Sequence, residues 1–173
     1  MKTFFKHDME PLGVQRRRKK ADLKAREQRT METVRKRDAG CRFPLCGCRR
    51  RGIRLEVAHD EHRGIGGNPA GDRTDTSTMV QVCAWRHKEG IFSLDKKTLR
   101  WVPMSTLGAN GSIQWQVDMA LVDYIRGGRH GTRPTEPRWM QVAIETPGRS
   151  RSAVMVMSDL QRDILGWLAK MDV

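Results

Sequence analysis

The sequence predicts an α+β domain with a basic N-terminal helix and a C-terminal strand and helix extension, and three observations carry that reading. A long stretch near the start lacks helix breakers, short apolar runs alternating at period two follow, and an apolar stripe at helical spacing closes the chain. From Gln15 to Asp38 there is no Pro or Gly, and Leu23, Met31 and Val34 fall within one helical face, so this segment is a long, exposed, basic helix ended by Gly40. CRFPLCGCRRRG then forms a glycine-punctuated knuckle, and in IRLEVAH the residues Ile53, Leu55 and Val57 alternate as the apolar face of a half-buried strand that delivers His59 at its end. The stretch after it is rich in Gly, Asp, Thr and Pro and reads as a long loop.

MVQVC is a second short strand, and AWRHKEG suits one or two helical turns ending at Gly90. Beyond it, FSLDKKTLRWVP reads as a hairpin with a charged turn, SIQWQV as an alternating strand, and MALVDYIRGG as a short helix. A basic, Gly- and Pro-rich connector leads to WMQVAIE and AVMVM, two strands around a PGRSRS turn. Ser158 and Gln161 form a capping box for a last helix striped by Leu160, Ile164, Trp167, Leu168 and Met171. The chain divides into a basic arm at 1–39, a core at 40–104 and an α+β extension at 105–173.

With 33 Lys and Arg against 20 Asp and Glu, the net charge of +13 points to a polyanionic partner, nucleic acid first. Residues 1–38 hold 13 basic and 6 acidic residues, contributing +7. A membrane partner is not expected, because 15–38 lacks the broad apolar face an interfacial helix buries. No run approaches the roughly 20 apolar residues of a transmembrane helix, and the first residues lack a signal-peptide core, so a cytoplasmic protein is expected. In a reducing compartment, four clustered cysteines favour metal ligation over disulfides.

Cys41, Cys46 and Cys48 make one knuckle and Cys83 stands far downstream, with Arg86 where a C-x2-C partner would be. Zinc takes four such ligands in a tetrahedron. Two sets are open: all four cysteines, or two from the first knuckle with Cys83 and His87. The four-cysteine set is preferred because it leaves His87 for other use.

The order of parts, a Cys knuckle, a strand ending in EVAHD, the loop HRGIGGNPAGDR, then TMVQVC and RHK, resembles the His-Asn-His (HNH) endonuclease family over about Gly40 to Trp101. The resemblance implies a zinc-supported ββα-metal core and metal-dependent hydrolysis of DNA phosphodiester bonds, with His59 as general base and His87 as ligand of a catalytic divalent ion, Mg or another. A neutral imidazole suits the base role near neutral pH. Where the family has a ligand just before the base this chain has Ala58, and where it has its middle Asn this chain has Thr78, a hydroxyl that can brace the loop. Asp60, His62, Asp72, Asp75 or Asp95 are candidates to restore a ligand. The resemblance also brings an expected origin on a phage or mobile element.

The DNA backbone is expected to meet Arg16, Arg17 and Arg18 on the helix, Arg49, Arg50 and Arg51 in the knuckle, and Arg63 in the loop, contacts that supply salt-dependent affinity without reading sequence. Trp85, Trp101, Trp115, Trp139 and Trp167 read as core or interface residues. Rival readings are a DNA-binding protein whose catalytic site has decayed, a zinc-ribbon RNA-binding factor and a basic scaffold protein.

Overall fold

The computed structural model describes residues 11–44, 46–59, 74–128 and 130–145. The loop after His59 with Arg63, the AVMVM strand and the C-terminal helix lie outside the described residues. What is described is a mixed helix and sheet structure.

Helix α1 spans Leu12–Asp38, 27 residues and so about 40 Å long. Arg35, Lys36 and Arg37 in its last turn favour the negative end of the helix dipole. Its stop differs from expectation: Ala39, not Gly40, takes the left-handed conformation at φ 48° and donates its N–H to Arg35 O. Of the expected apolar face only the C-terminal part packs. Val34 is buried while Leu23 is 44% exposed, so the first two-thirds of α1 stands off the domain and its last two turns belong to the core.

Strands β1 (Leu55–His59) and β2 (Met79–Cys83) pair antiparallel in a two-stranded ribbon, with Leu55 opposite Cys83 and His59 opposite Met79. The expected apolar face of β1 is inverted. Leu55 is 41% exposed and Ala58 only 1%, because the ribbon face carrying Glu56 and Ala58, beside Val82 and Val80, is the one that meets the core. Every residue of β2 is buried, since α1 contacts this strand as well. A single π-helical turn, Trp85–Glu89, follows β2. Gly90 ends it, and a Cβ there would meet the Trp85 ring at 2.7 Å.

The second sheet is β3 (Leu99–Pro103), β4 (Ile113–Asp118) and β5 (Trp139–Glu145), antiparallel in the order β3-β4-β5. FSLDKKT is therefore turn and not half of a hairpin; β3 pairs instead with SIQWQV across a turn at 104–112. The cause is visible at Thr98, whose hydroxyl donates to Ile91 O and accepts from Ser93 N at 3.0 Å, curling the segment upon itself. Asp118 caps helix α2 (Met119–Arg126) by accepting from Ala120 N and Leu121 N, and also receives Arg138 N at 3.0 Å.

The core runs continuously from Ala58, Val80 and Val82 of the ribbon to Leu99, Trp101, Ile113, Trp115, Val117 and Val142 of the sheet. A buried ionic clasp joins the same parts. Arg37 donates to Thr76 O, Met79 O and the Asn110 side chain and pairs with Asp38 at 2.6 Å. Asp38 in turn accepts the Gln81 N–H at 2.7 Å. Arg42, 3% exposed, pairs with Glu145 on β5 and donates to Ala109 O and Gly111 O.

Candidate metal centre and the histidines around it

Three cysteines come from the segment after α1, where the short helical turn Gly47–Arg49 and the bond from Ile53 N to Cys48 O fold the knuckle back on itself. Gly52, at φ 63°, completes that reversal in a backbone region side chains disfavour. The fourth, Cys83, arrives as the last residue of β2. Their four Sγ atoms all lie within 4.8 Å of one another, and Cys46 and Cys83 are 3.7 Å apart, too far for a disulfide. A tetrahedron with metal–sulfur bonds of about 2.3 Å has edges of about 3.8 Å. The cluster can hold a metal ion and suits zinc; the four cysteines are the side chains that converge, with His87 engaged elsewhere.

The sulfurs share their protons unequally. Hydrogen bonding to Cys46, Cys48 and Cys83, helped by burial, pushes the Cys41 thiol well up. Hydrogen bonds from Cys41 and Cys83 push Cys46 down, with the Arg86 charge adding to the effect. Arg86 is 2% exposed and its guanidinium lies 4.5 Å over the Phe43 ring, which meets Trp115 edge-on at 5.4 Å. The position that breaks the second C-x2-C pair thus carries a buried cation next to the sulfurs. Nothing in the sequence signalled that role, because an arginine after a helix start ordinarily reads as solvent-facing.

His87 Nδ1 lies 2.7 Å from Glu56 Oε2, a separation at which the ring N–H donates to the carboxylate. Its Nε2 faces Asp95 Oδ1 at 3.6 Å. Glu56 also receives Lys88 at 3.3 Å and Arg54 at 2.8 Å. Partial burial opposes its ionisation, but the hydrogen bonds from His87 and Lys88 and the nearby charges hold its carboxyl below the ordinary value. Glu56 was not anticipated, since a carboxylate on an alternating strand reads as an outward residue. Of the candidate replacement ligands, Asp95 alone is found beside His87; Asp75 instead caps the turn Thr76–Thr78 through Ser77 N, and Asp60, His62 and Asp72 lie outside the described residues.

His59 ends β1, three residues beyond Glu56, so roughly 10 Å separates them along the strand and the pleat turns them to opposite faces. It lines a cavity of about 270 Å³ with Leu94, Lys97, Leu99, Arg100, Trp101 and Trp139. The structure therefore brings the four cysteines together, and it sets His87 between Glu56 and Asp95. Thr78 donates its hydroxyl to Asp75 O at 3.0 Å and so braces the turn that leads into β2. Among the described residues, the cysteines are the only group of three or more ligating side chains that converge.

Set beside known proteins, the chain matches no family model, no curated protein and no solved structure. Among the described residues no helix is long and apolar enough to cross a membrane. Arg16, Arg17, Arg18, Arg49, Arg50 and Arg51 are all exposed, the first three on the part of α1 that stands clear of the domain. Trp101 and Trp115 are core residues as expected, whereas Trp139 is half-buried in the cavity wall.

Proposed function

We propose that this chain is a zinc-built endonuclease that hydrolyses DNA phosphodiester bonds with His59 as general base. The observation that carries the reading is the position of His59: at the end of a ribbon that starts beside the cysteine cluster, in a cavity whose other polar side chains among the described residues, apart from the indoles, are Lys97 and Arg100. In this reading zinc sits among Cys41, Cys46, Cys48 and Cys83 and is structural, because four protein thiolates leave no open position for water or substrate. Four thiolates around a divalent ion carry a net charge of 2−, and the buried Arg86 offsets part of it. The His59 imidazole takes the proton of a water that attacks phosphorus, while the Lys97 and Arg100 cations face the phosphate oxygens on which charge builds. The exposed arginines of α1 and the knuckle hold the duplex backbone, and their summed charge makes binding fall steeply with salt.

The catalytic divalent ion of the resemblance has weaker support. His87 Nε2 and Asp95 offer two ligands, and Ala58, where the family has a further one, carries no donor atom and is packed in the core. This favours a second reading, a DNA-binding protein that does not cut.

Nicking of supercoiled plasmid by the purified chain with Mg, Mn or Ni ions separates the two. Ion-dependent cutting that His59→Ala abolishes while DNA binding persists is the expected result. A wild type that binds DNA and cuts with none of the ions establishes the second reading. Replacing Arg16, Arg17 and Arg18 together by Ala should reduce the slope of log affinity against log salt by up to about 3. An unchanged slope takes α1 out of the interface.

A further inference from the structure

The cavity beside His59 has a composition that a simple backbone-binding surface does not need. Its floor is apolar, from Leu94, Leu99 and Trp101, the last only 3% exposed. Its rim is cationic and aromatic, from Lys97, Arg100 and Trp139, and among the described residues no carboxylate lines it. The Arg100 guanidinium carbon lies over the Trp139 ring, 3.9 Å from its centre, and its Nε donates to the Gln116 side chain at 2.8 Å.

Lys97 adds a conformational observation. It occupies the left-handed backbone region at φ 61°, which costs an L side chain energy that glycine would not incur. The turn nevertheless carries a lysine there, and that lysine lines the cavity.

We propose that this cavity receives one unstacked nucleotide of the DNA, its base on the Trp139–Arg100 pair and its phosphate at Lys97. The size agrees: about 270 Å³ falls just under the roughly 300–1,000 Å³ of pockets that enclose larger organic ligands, room for one base and not for a paired duplex. Aromatic rings and arginine planes both stack bases without regard to sequence, and a cation at the rim takes the attached phosphate. A cationic ligand is excluded by the charge of Lys97 and Arg100. The consequence is a preference for DNA with an unpaired or easily unpaired position, where the unstacking energy is already spent. The proposal rests on DNA being the partner but not on cutting.

The test uses the full chain without added divalent ion and two DNA hairpins of one sequence, carrying 2-aminopurine either paired or extrahelical. The extrahelical probe should bind about ten-fold tighter, with its emission quenched as the base stacks. Lys97→Gly relieves the left-handed strain, so it keeps the fold while removing the cation, and Trp139→Leu removes the stacking surface. Each should lose most of the ten-fold preference, and Trp139→Leu should do so with affinity for the paired hairpin unchanged. Equal binding of both hairpins by the wild type, or a full preference retained in both variants, overturns the proposal while leaving DNA as the partner. Loss of the preference in millimolar inorganic phosphate, to the same extent as in a deoxynucleoside monophosphate, overturns it in favour of a simple anion site. A wild type that binds neither hairpin overturns the DNA reading itself.

Discussion

The two sheets of this molecule are held by different physics. The three-stranded sheet is stabilised by apolar burial: Trp115, Leu99, Ile113, Val117 and Val142 are almost wholly withdrawn from water. Among the described residues the β1–β2 ribbon has two strands, and such a pair is marginal by itself in water. It is held at one end by four cysteines, along β2 by the last turns of α1, and by ion pairs whose partners lie far apart in the chain. The residues with chemistry, His59, Glu56, His87 and the cysteines, all belong to the ribbon and its flanks. Side chains that must stay reachable cannot be fixed by deep burial, so ligands and buried charges do the fixing.

The sharpest way to break this contrast is to remove the metal. Chelation, or Cys83→Ser, should unfold the ribbon while leaving amides of β3, β4 and β5 protected, as followed by hydrogen exchange. Structural zinc contributes about 10–16 kcal/mol of apparent binding free energy in small zinc domains, so this is the largest effect expected. Uniform protection with and without a strong chelator, together with no zinc in elemental analysis, would refute a metal-held ribbon.

Next in size is the clasp between the two regions. Arg42→Met leaves Asp38 and Glu145 without their shared cation and should cost about 3–5 kcal/mol in urea unfolding. Burial, opposed by the Arg42 charge, holds the Glu145 carboxyl above its ordinary value, and removing Arg42 should raise it further. A loss under about 1 kcal/mol would show that the clasp breaks even against solvation, as some buried ion pairs do.

The smallest effect concerns Glu56. Its carboxyl is held below the ordinary value in the folded chain, so the stability it lends is present above the unfolded value and is lost as pH falls through the lowered folded one. Glu56→Gln should therefore lower stability at neutral pH and narrow the gap to wild type in acid. Parallel stability–pH curves for the two proteins would remove Glu56 from the set of groups that matter here.

Local features were legible in the residues to the extent that local physics decides them. The breaker-free run of α1, the alternation of β4 and the short helix α2 follow from short-range propensity, and the structure has each of them. The cysteine cluster was legible for a different reason, since few structures other than a metal site need four sulfurs at such spacings. Features that depend on distant partners were not. Alternation in β1 is nearly symmetric between Leu55–Val57 and Glu56–Ala58, so only the arrival of Val80 and Val82 selects the buried face. Nothing local marks Arg42 and Arg86 for burial, which depends on Glu145 and Phe43, far away in the sequence.

By itself the sequence determined the mixed fold class, the basic projecting helix, the four candidate metal-ligating cysteines and the candidacy of His59. Period, charge and ligand chemistry are properties a chain carries before it folds. Only the tertiary structure decided that His87 pairs with Glu56, that His59 stands at the other end of the ribbon in a cavity with Lys97, Arg100 and Trp139, and that the clasp closes on Arg42. Those contacts are set by how two sheets and a helix come together, a result of long-range packing that no local pattern encodes.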